Sequence, residues 1–224
     1  MENIIRQYAN KVQELVEAIS AEQEAFEKGA QLVAEAIKRD ELIHVIGPGG
    51  HSNMAVEEVL WRAGGLAPIN AILDPGTNVI HGAKRSNIIE RCPGYGIRVL
   101  DSYGINRPGE VIIIVNAYGI NSMTIDIALE AKRRGLKTIG ITSESFARIV
   151  PKDAPSRHPS GLNLFENVEV LVVDVIDTLE VGATRYGERQ GPHGNLQLLL
   201  NLLQQLKRLL AGAVEFVDED HHGR

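Results

Sequence analysis

The stretch Leu42-Ile43-His44-Val45-Ile46-Gly47-Pro48-Gly49-Gly50-His51-Ser52 decides the fold. A short apolar run enters a glycine turn, and a helical pattern starts on its far side. Glycine lets the backbone take positive φ and pass close to a ligand. The first N–H groups of a following helix have no partner within it, which suits an anion. Ser52 either caps that helix or binds a ligand, because both jobs need the same hydroxyl.

Outward from this turn the chain alternates. A strand over 42–46 leads to a helix over 53–63, which Gly64-Gly65 stops, and a short run over 68–73 follows. Val111-Ile112-Ile113-Ile114-Val115 is a continuous β-branched run of the kind buried on both faces of a parallel sheet. It turns through Asn116-Ala117-Tyr118-Gly119 into a helix over 121–134, ending at Gly135 with Lys132, Arg133 and Arg134 in the last turn. Strands over 137–141 and 168–175 come next, and a Leu- and Gln-rich helix over 195–211 closes the pattern.

This order predicts a doubly wound, mainly parallel α/β sheet with its ligand at the carboxyl ends of the strands. The loops 47–52, 116–121 and 142–148 leave those ends. Ahead of the first strand, residues 4–38 carry apolar side chains at helical spacing, read as one or two helices broken near Gly29. Such an arm is expected to pack partly on another subunit. The chain divides into an arm (1–39), the main domain (40–212) and a polar tail (213–224) whose His221 and His222 read as a frayed end.

Composition narrows the function. With 44% hydrophobic and 23% charged residues the chain reads as a soluble globular protein. A net charge of −6 and no basic run argue against nucleic acid. No apolar stretch approaches the roughly 18 residues that cross a bilayer, so no membrane partner is expected. The single Cys92 cannot form an intrachain disulfide and fits a reducing, cytoplasmic setting. The charged, helical N-terminus is unlike a secretory signal.

Several strings resemble the SIS (sugar isomerase) domain family, and most closely its subfamily grouped with phosphosugar and phosphoheptose isomerases. They are Gly49-Gly50-His51-Ser52, Val111 to Asn121, Ile141-Thr142-Ser143, Trp61-Arg62-Ala63-Gly64-Gly65-Leu66-Ala67-Pro68, His81-Gly82-Ala83-Lys84-Arg85-Ser86 and Ser156-Arg157-His158-Pro159-Ser160-Gly161. Together with the segment Ala128 to Lys137 they cover most of residues 40 to 195. The resemblance implies a three-layer α/β/α fold with a five-stranded parallel sheet. It also implies a homodimer or homotetramer with the site near a subunit interface.

Members of the family isomerise aldose and ketose phosphates, cleave sugar ethers or sense phosphosugars, so membership does not by itself give an activity. Where such proteins carry Ser-x-Ser-Gly around the sugar phosphate, this chain has Asn116-Ala117-Tyr118-Gly119, although Gly119 and Asn121 match. Asn116 and Tyr118 can hydrogen-bond an oxygen, but Tyr118 adds bulk where a phosphate would nest and offers a face to a sugar ring.

The expected ligand contacts are Gly50, His51, Ser52, Arg85, Asn116, Tyr118, Asn121, Thr142, Ser143, Ser145 and His158. The expected acid/base groups are Glu58 with His81 or His193. Glu58 is either a base for a sugar C1–C2 proton shift or one half of an i,i+4 pair with Arg62. Each histidine is either structural or a general acid. No His-x₃-His or His-Glu-x-x-His spacing occurs. No cofactor or metal is therefore assigned, while a divalent metal such as zinc, with ligands from distant segments, stays open.

The reading is a sugar or sugar-phosphate isomerase working through an enediol. The alternatives are a non-catalytic sugar-phosphate binding module and an isomerase for an unphosphorylated or otherwise anionic sugar. A stand-alone transcription regulator fits less well, because the arm shows no basic recognition helix.

Overall fold

The β-branched run forms the central strand of a five-stranded, all-parallel sheet. The protein is described by a computed structural model over residues 4–172. In chain order the elements are α1 (Ile4–Ala21), α2 (Gln23–Lys38), β1 (Ile43–Ile46), α3 (Asn53–Val59), β2 (Ile69–Ile72), α4 (Ala83–Ile89) and α5 (Tyr95–Ser102). They continue with β3 (Val111–Val115), α6 (Ser122–Arg133), β4 (Lys137–Ile141), α7 (Glu144–Ile149) and β5 (Val170–Val172). His193, the expected closing helix and the polar tail lie outside the described residues.

Strand order is β2-β1-β3-β4-β5. The chain winds outward from β1 to β2, then returns across β1 to build the other half. Adjacent strands β1 and β3 are therefore followed by connections that leave in opposite directions, opening a crevice at their carboxyl ends. Register places Ile46 beside Ile72 on one side and Ile114 on the other, so the three strands finish level.

Period-two alternation sorts the side chains into two buried layers. Ile43, Val45, Val111, Ile113, Val115, Ile139 and Ile141 point to one face, where they meet Phe26, Val33 and Ala36 of α2, Leu15 and Ile19 of α1, and Ala55 and Val56 of α3. Ile46, Ile72, Ile112 and Ile114 point to the other, covered by Val99 and Leu100 of α5 and Met123, Ile127, Ala128 and Ala131 of α6. Each fully buried Ile contributes about 2 kcal/mol of transfer free energy. Among the described residues no helix is long and apolar enough to cross a membrane.

Two local expectations change. The N-terminal break falls at Glu22 rather than Gly29. Gly29 sits inside α2, facing the sheet, where an added β-carbon would make ordinary contact with Ile139 at 3.8 Å and Val170 at 4.0 Å. Within the arm, α2 and the second half of α1 join the main core, while Ile5 and Tyr8 at the start of α1 are exposed. The helix expected to reach residue 63 stops at Val59, because Leu60 is extended and Trp61 takes φ +53° well before Gly64-Gly65.

Candidate active site

The site is built from backbone oxygen outward. Pro48, in the turn after β1, offers its carbonyl to three donors from the β3 side of the crevice. They are Asn116 Nδ2 at 2.8 Å, Asn121 Nδ2 at 2.9 Å and Thr124 Oγ1 at 3.3 Å. Asn116 Nδ2 also reaches Ser52 Oγ at 3.3 Å. Its Oδ1 accepts from the N–H groups of Tyr118 (3.2 Å) and Gly119 (2.7 Å), closing an Asx turn. Asn121 Oδ1 caps α6 by accepting from Thr124 N–H at 2.8 Å. The two asparagines thus lock the first and second loops together.

Ser52 stands at the N-cap position of α3 but makes no capping bond; its hydroxyl is turned toward Asn116. Asn53 does the local bonding instead, its Nδ2 donating to Gly49 O at 2.9 Å. Gly47 is obligatory here, because a β-carbon would run into the Ser52 carbonyl and lie 2.8 Å from the Asn53 nitrogen. His51 is exposed at the tip of the turn.

The third loop joins through Ser143 N–H, which donates to Ala117 O at 3.2 Å. Ser143 Oγ caps α7 through Phe146 N–H at 3.1 Å and lies 3.2 Å from Ser145 Oγ. Thr142 is buried, and its Oγ1 is the one fully buried side-chain polar atom without a hydrogen-bond partner among the described residues. It lies against Gly119, whose φ of +59° and missing β-carbon make room for it. Tyr118 rests on Phe146, ring centroids 4.2 Å apart with planes at 35°. That contact takes up aromatic surface that sequence alone leaves available for a sugar.

Two partly buried acidic groups stand out beside these residues, and one of them, Glu90, bonds the first loop. Glu90, just after α4, places Oε2 3.3 Å from Gly50 N–H. Burial pushes its carboxyl up from the ordinary glutamate value, and the Gly50 N–H opposes that rise. Asp126 on α6 has Oδ1 3.4 Å from His158 Nε2 and Oδ2 accepting from Gly94 N–H at 2.6 Å. Burial, the largest influence, raises its carboxyl too.

His158 is held beside the second loop by its own N–H, which donates to Ile120 O at 2.8 Å. Its Nδ1 is 2.7 Å from Ser160 Oγ. Ser160 N–H also donates to Nδ1, at 3.1 Å, so Nε2 carries the proton toward Asp126 in the neutral ring. Buried Arg157 makes this loop rigid by donating to Val150 O, Pro151 O, Ala147 O and Asn163 Oδ1.

Glu58, largely buried on α3, pairs with Arg62 at 3.1 Å. The pair persists although α3 ends at Val59, the chain turning at Leu60 to keep Arg62 alongside. His81 and Arg85 lie away from these contacts. His81 is exposed in the 3-10 turn Val79–His81, and Arg85 donates to Pro75 O at 2.9 Å. Among the described residues no three His, Cys, Asp or Glu side chains gather as a metal site.

Nothing in sequence spacing flags Glu90 or Asp126, since they meet partners 40 and 32 residues away. The only hint at Glu90 is a lone acid closing the segment Asn87-Ile88-Ile89-Glu90.

Fold and site together define a doubly wound α/β protein with a polar crevice at the β1/β3 switch point. Residues 7–143 match the SIS domain family, and the chain belongs to that family. A UPF0309 protein of Geobacillus kaustophilus is 36% identical over 170 residues, covering 75% of this chain and 65% of the relative. One from Thermoanaerobacter pseudethanolicus is 38% identical over 174 residues, covering 76% of this chain and 68% of the relative. The chain therefore spans about two thirds of the length of these curated relatives, 65% of the first.

Among solved structures, a phosphoheptose isomerase from Neisseria gonorrhoeae superposes with a TM-score of 0.58 at 13% identity, covering 92% of this chain and 97% of that one. Another from Francisella tularensis gives 0.58 at 12%, covering 93% and 96%. At these identities the likeness shows the shared fold.

Proposed function

We propose that this chain binds a sugar or sugar phosphate between the loops 47–52, 116–121 and 142–145 and interconverts its aldose and ketose forms. The observation that carries the reading is the convergence of these loops at the β1/β3 switch point. Asn116 and Asn121 lock the first two, Ser143 N–H ties in the third, and the side chains of Ser52, Thr142 and Ser143 carry the hydroxyls of these loops. Membership in the SIS family and the shared fold of two phosphoheptose isomerases support it.

The chemistry needs one base and one acid. A carboxylate takes the proton from C2 of the aldose while the C1 oxygen is protonated, forming a C1–C2 enediol. The proton returns to C1 as the O2 hydroxyl gives up its own, leaving the ketose. Glu58 is assigned as the carboxylate. His158 is the histidine best placed to serve the oxygens, because Asp126 orients its ring beside the second loop.

The test is exchange with deuterated water of the C2 hydrogen of aldoses and a C1 hydrogen of ketoses, with and without phosphate, followed by proton NMR. Glu58→Gln should cut exchange by ~100-fold or more while ligand affinity stays within ~10-fold. Unchanged exchange in that variant would sink the assignment of Glu58. Binding without exchange by the unaltered protein would instead make the chain a non-catalytic sugar-binding module.

A further inference from the structure

We infer that Glu90 is a specificity-determining residue that fills the anion seat of the first loop and tunes the crevice to a free sugar rather than a sugar phosphate. The inference rests on the sugar-site reading above and names its substrate class.

A phosphate dianion is held by backbone N–H groups that have no other acceptor. Here several of those groups in the first loop and at the start of the second are already taken. Gly50 N–H donates to Glu90 Oε2, and the N–H groups of Tyr118 and Gly119 donate to Asn116 Oδ1. Ser143 N–H donates to Ala117 O, Asn53 N–H to Gly49 O, and Gly49 N–H to Gly47 O. The helix that follows the loop, α3, has only 7 residues, so its dipole adds little.

Glu90 lies inside the crossing of the loops. A β-carbon on Gly49 would stand 2.8 Å from Glu90 Oε2 and 3.3 Å from both the Asn116 and Asn121 amide nitrogens. Gly49 thus faces a cradle made of one carboxylate and two amides. Among the described residues the carboxylate receives a single hydrogen bond, from Gly50 N–H, which leaves lone pairs for further donors. Sugar hydroxyls are such donors, and they bring no charge. A phosphate brings only acceptors and two negative charges against the carboxylate. The hydroxyls of Ser52 and Thr142 complete the pattern as groups that both give and accept. Asn116 and Tyr118 agree with this: one is spent on loop bonding and the other rests on Phe146.

The test measures binding of hexoses and heptoses, each with and without a terminal phosphate, together with inorganic sulfate, which keeps its two charges from pH 5 to pH 8. In the unaltered protein at neutral pH the free sugar should bind at least ~10-fold tighter than its phosphate. Glu90→Gln should shift that ratio toward the phosphate by ~10-fold or more and should admit sulfate. Should Glu90→Gln fold poorly, Glu90→Ala asks the same question: removing the carboxylate from Gly50 N–H should admit sulfate as well.

Preferential binding of sugar phosphates by the unaltered protein, or sulfate binding indifferent to both Glu90→Gln and Glu90→Ala, would overturn the inference while leaving the sugar site standing. Failure of every sugar to bind would overturn both.

Discussion

Glu90 and Glu130 are two buried or half-buried glutamates at opposite ends of the same sheet, and their surroundings could hardly differ more. Glu130, near the end of α6, is gripped by Arg133 at 2.6 and 2.7 Å and by Arg134 Nε at 2.7 Å. Arg134 in turn reaches Asp101 and Ile105 O. Hydrogen bonds from Arg133, helped by Arg134 against the cost of burial, draw the Glu130 carboxyl down to about 2. Among the described residues Glu90 has one backbone N–H partner and no ion pair, and burial pushes its carboxyl up against the weaker opposing pull of Gly50 N–H and Arg91. A carboxylate whose charge is fully matched within the chain belongs to the architecture. One left with a single weak partner beside a ligand loop is available to recognise something else.

The most damaging change to the site end should be Gly47→Ala, because the new methyl meets backbone rather than a movable side chain. A loss of about 3 kcal/mol is expected in urea unfolding, as for other overpacked positions. A midpoint equal to that of the unaltered protein would show that the turn after β1 is looser than its geometry implies.

Next in size is Glu130→Gln at the opposite end. It removes the charge that both arginines share and should cost about 2 kcal/mol near neutrality. The pH dependence sharpens the comparison. With the folded value drawn below the ordinary one near 4.5, the stabilisation is present above that value and is lost as pH falls toward about 2. Thermal midpoints measured from pH 6 to pH 2 should fall less steeply in Glu130→Gln.

Glu90→Gln should give the smallest change, and of opposite sign. A raised folded value means that the neutral carboxyl is favoured in the fold, so its stabilisation is present at acid pH and lost as pH rises through that value. Replacing it with an amide should raise the thermal midpoint more at pH 8 than at pH 5. A fall in midpoint at pH 8 would mean that the ionised form is the one the fold prefers, which breaks the contrast with Glu130.

Local chemistry carried much of the architecture. The β-branched run at 111–115, the glycine turn after Ile46 and the basic end of α6 are each legible from neighbours in sequence, since period and capping act over a few residues. The helix breaks at Glu22 rather than at Gly29, a difference hidden because a glycine that stops a helix and one carried inside it look alike in sequence. The early end of α3 at Val59 was hidden for a related reason. Gly64-Gly65 is the stronger breaker locally, yet the turn at Leu60 and Trp61 comes first.

At the site the division is sharper. Sequence alone determined the three loops, the hydroxyls and amides they carry, and the Glu58–Arg62 spacing, because all of these are set by residue type and short-range period. Only the tertiary structure decided where those groups spend their hydrogen bonds. Asn116 and Asn121 turn to Pro48 O, Tyr118 rests on Phe146, Asp126 meets His158, and Glu90 arrives at Gly50 from 40 residues away. Hydrogen bonding in a crevice depends on which donors and acceptors the fold brings within 3 Å or so, and chain separation places no constraint on that.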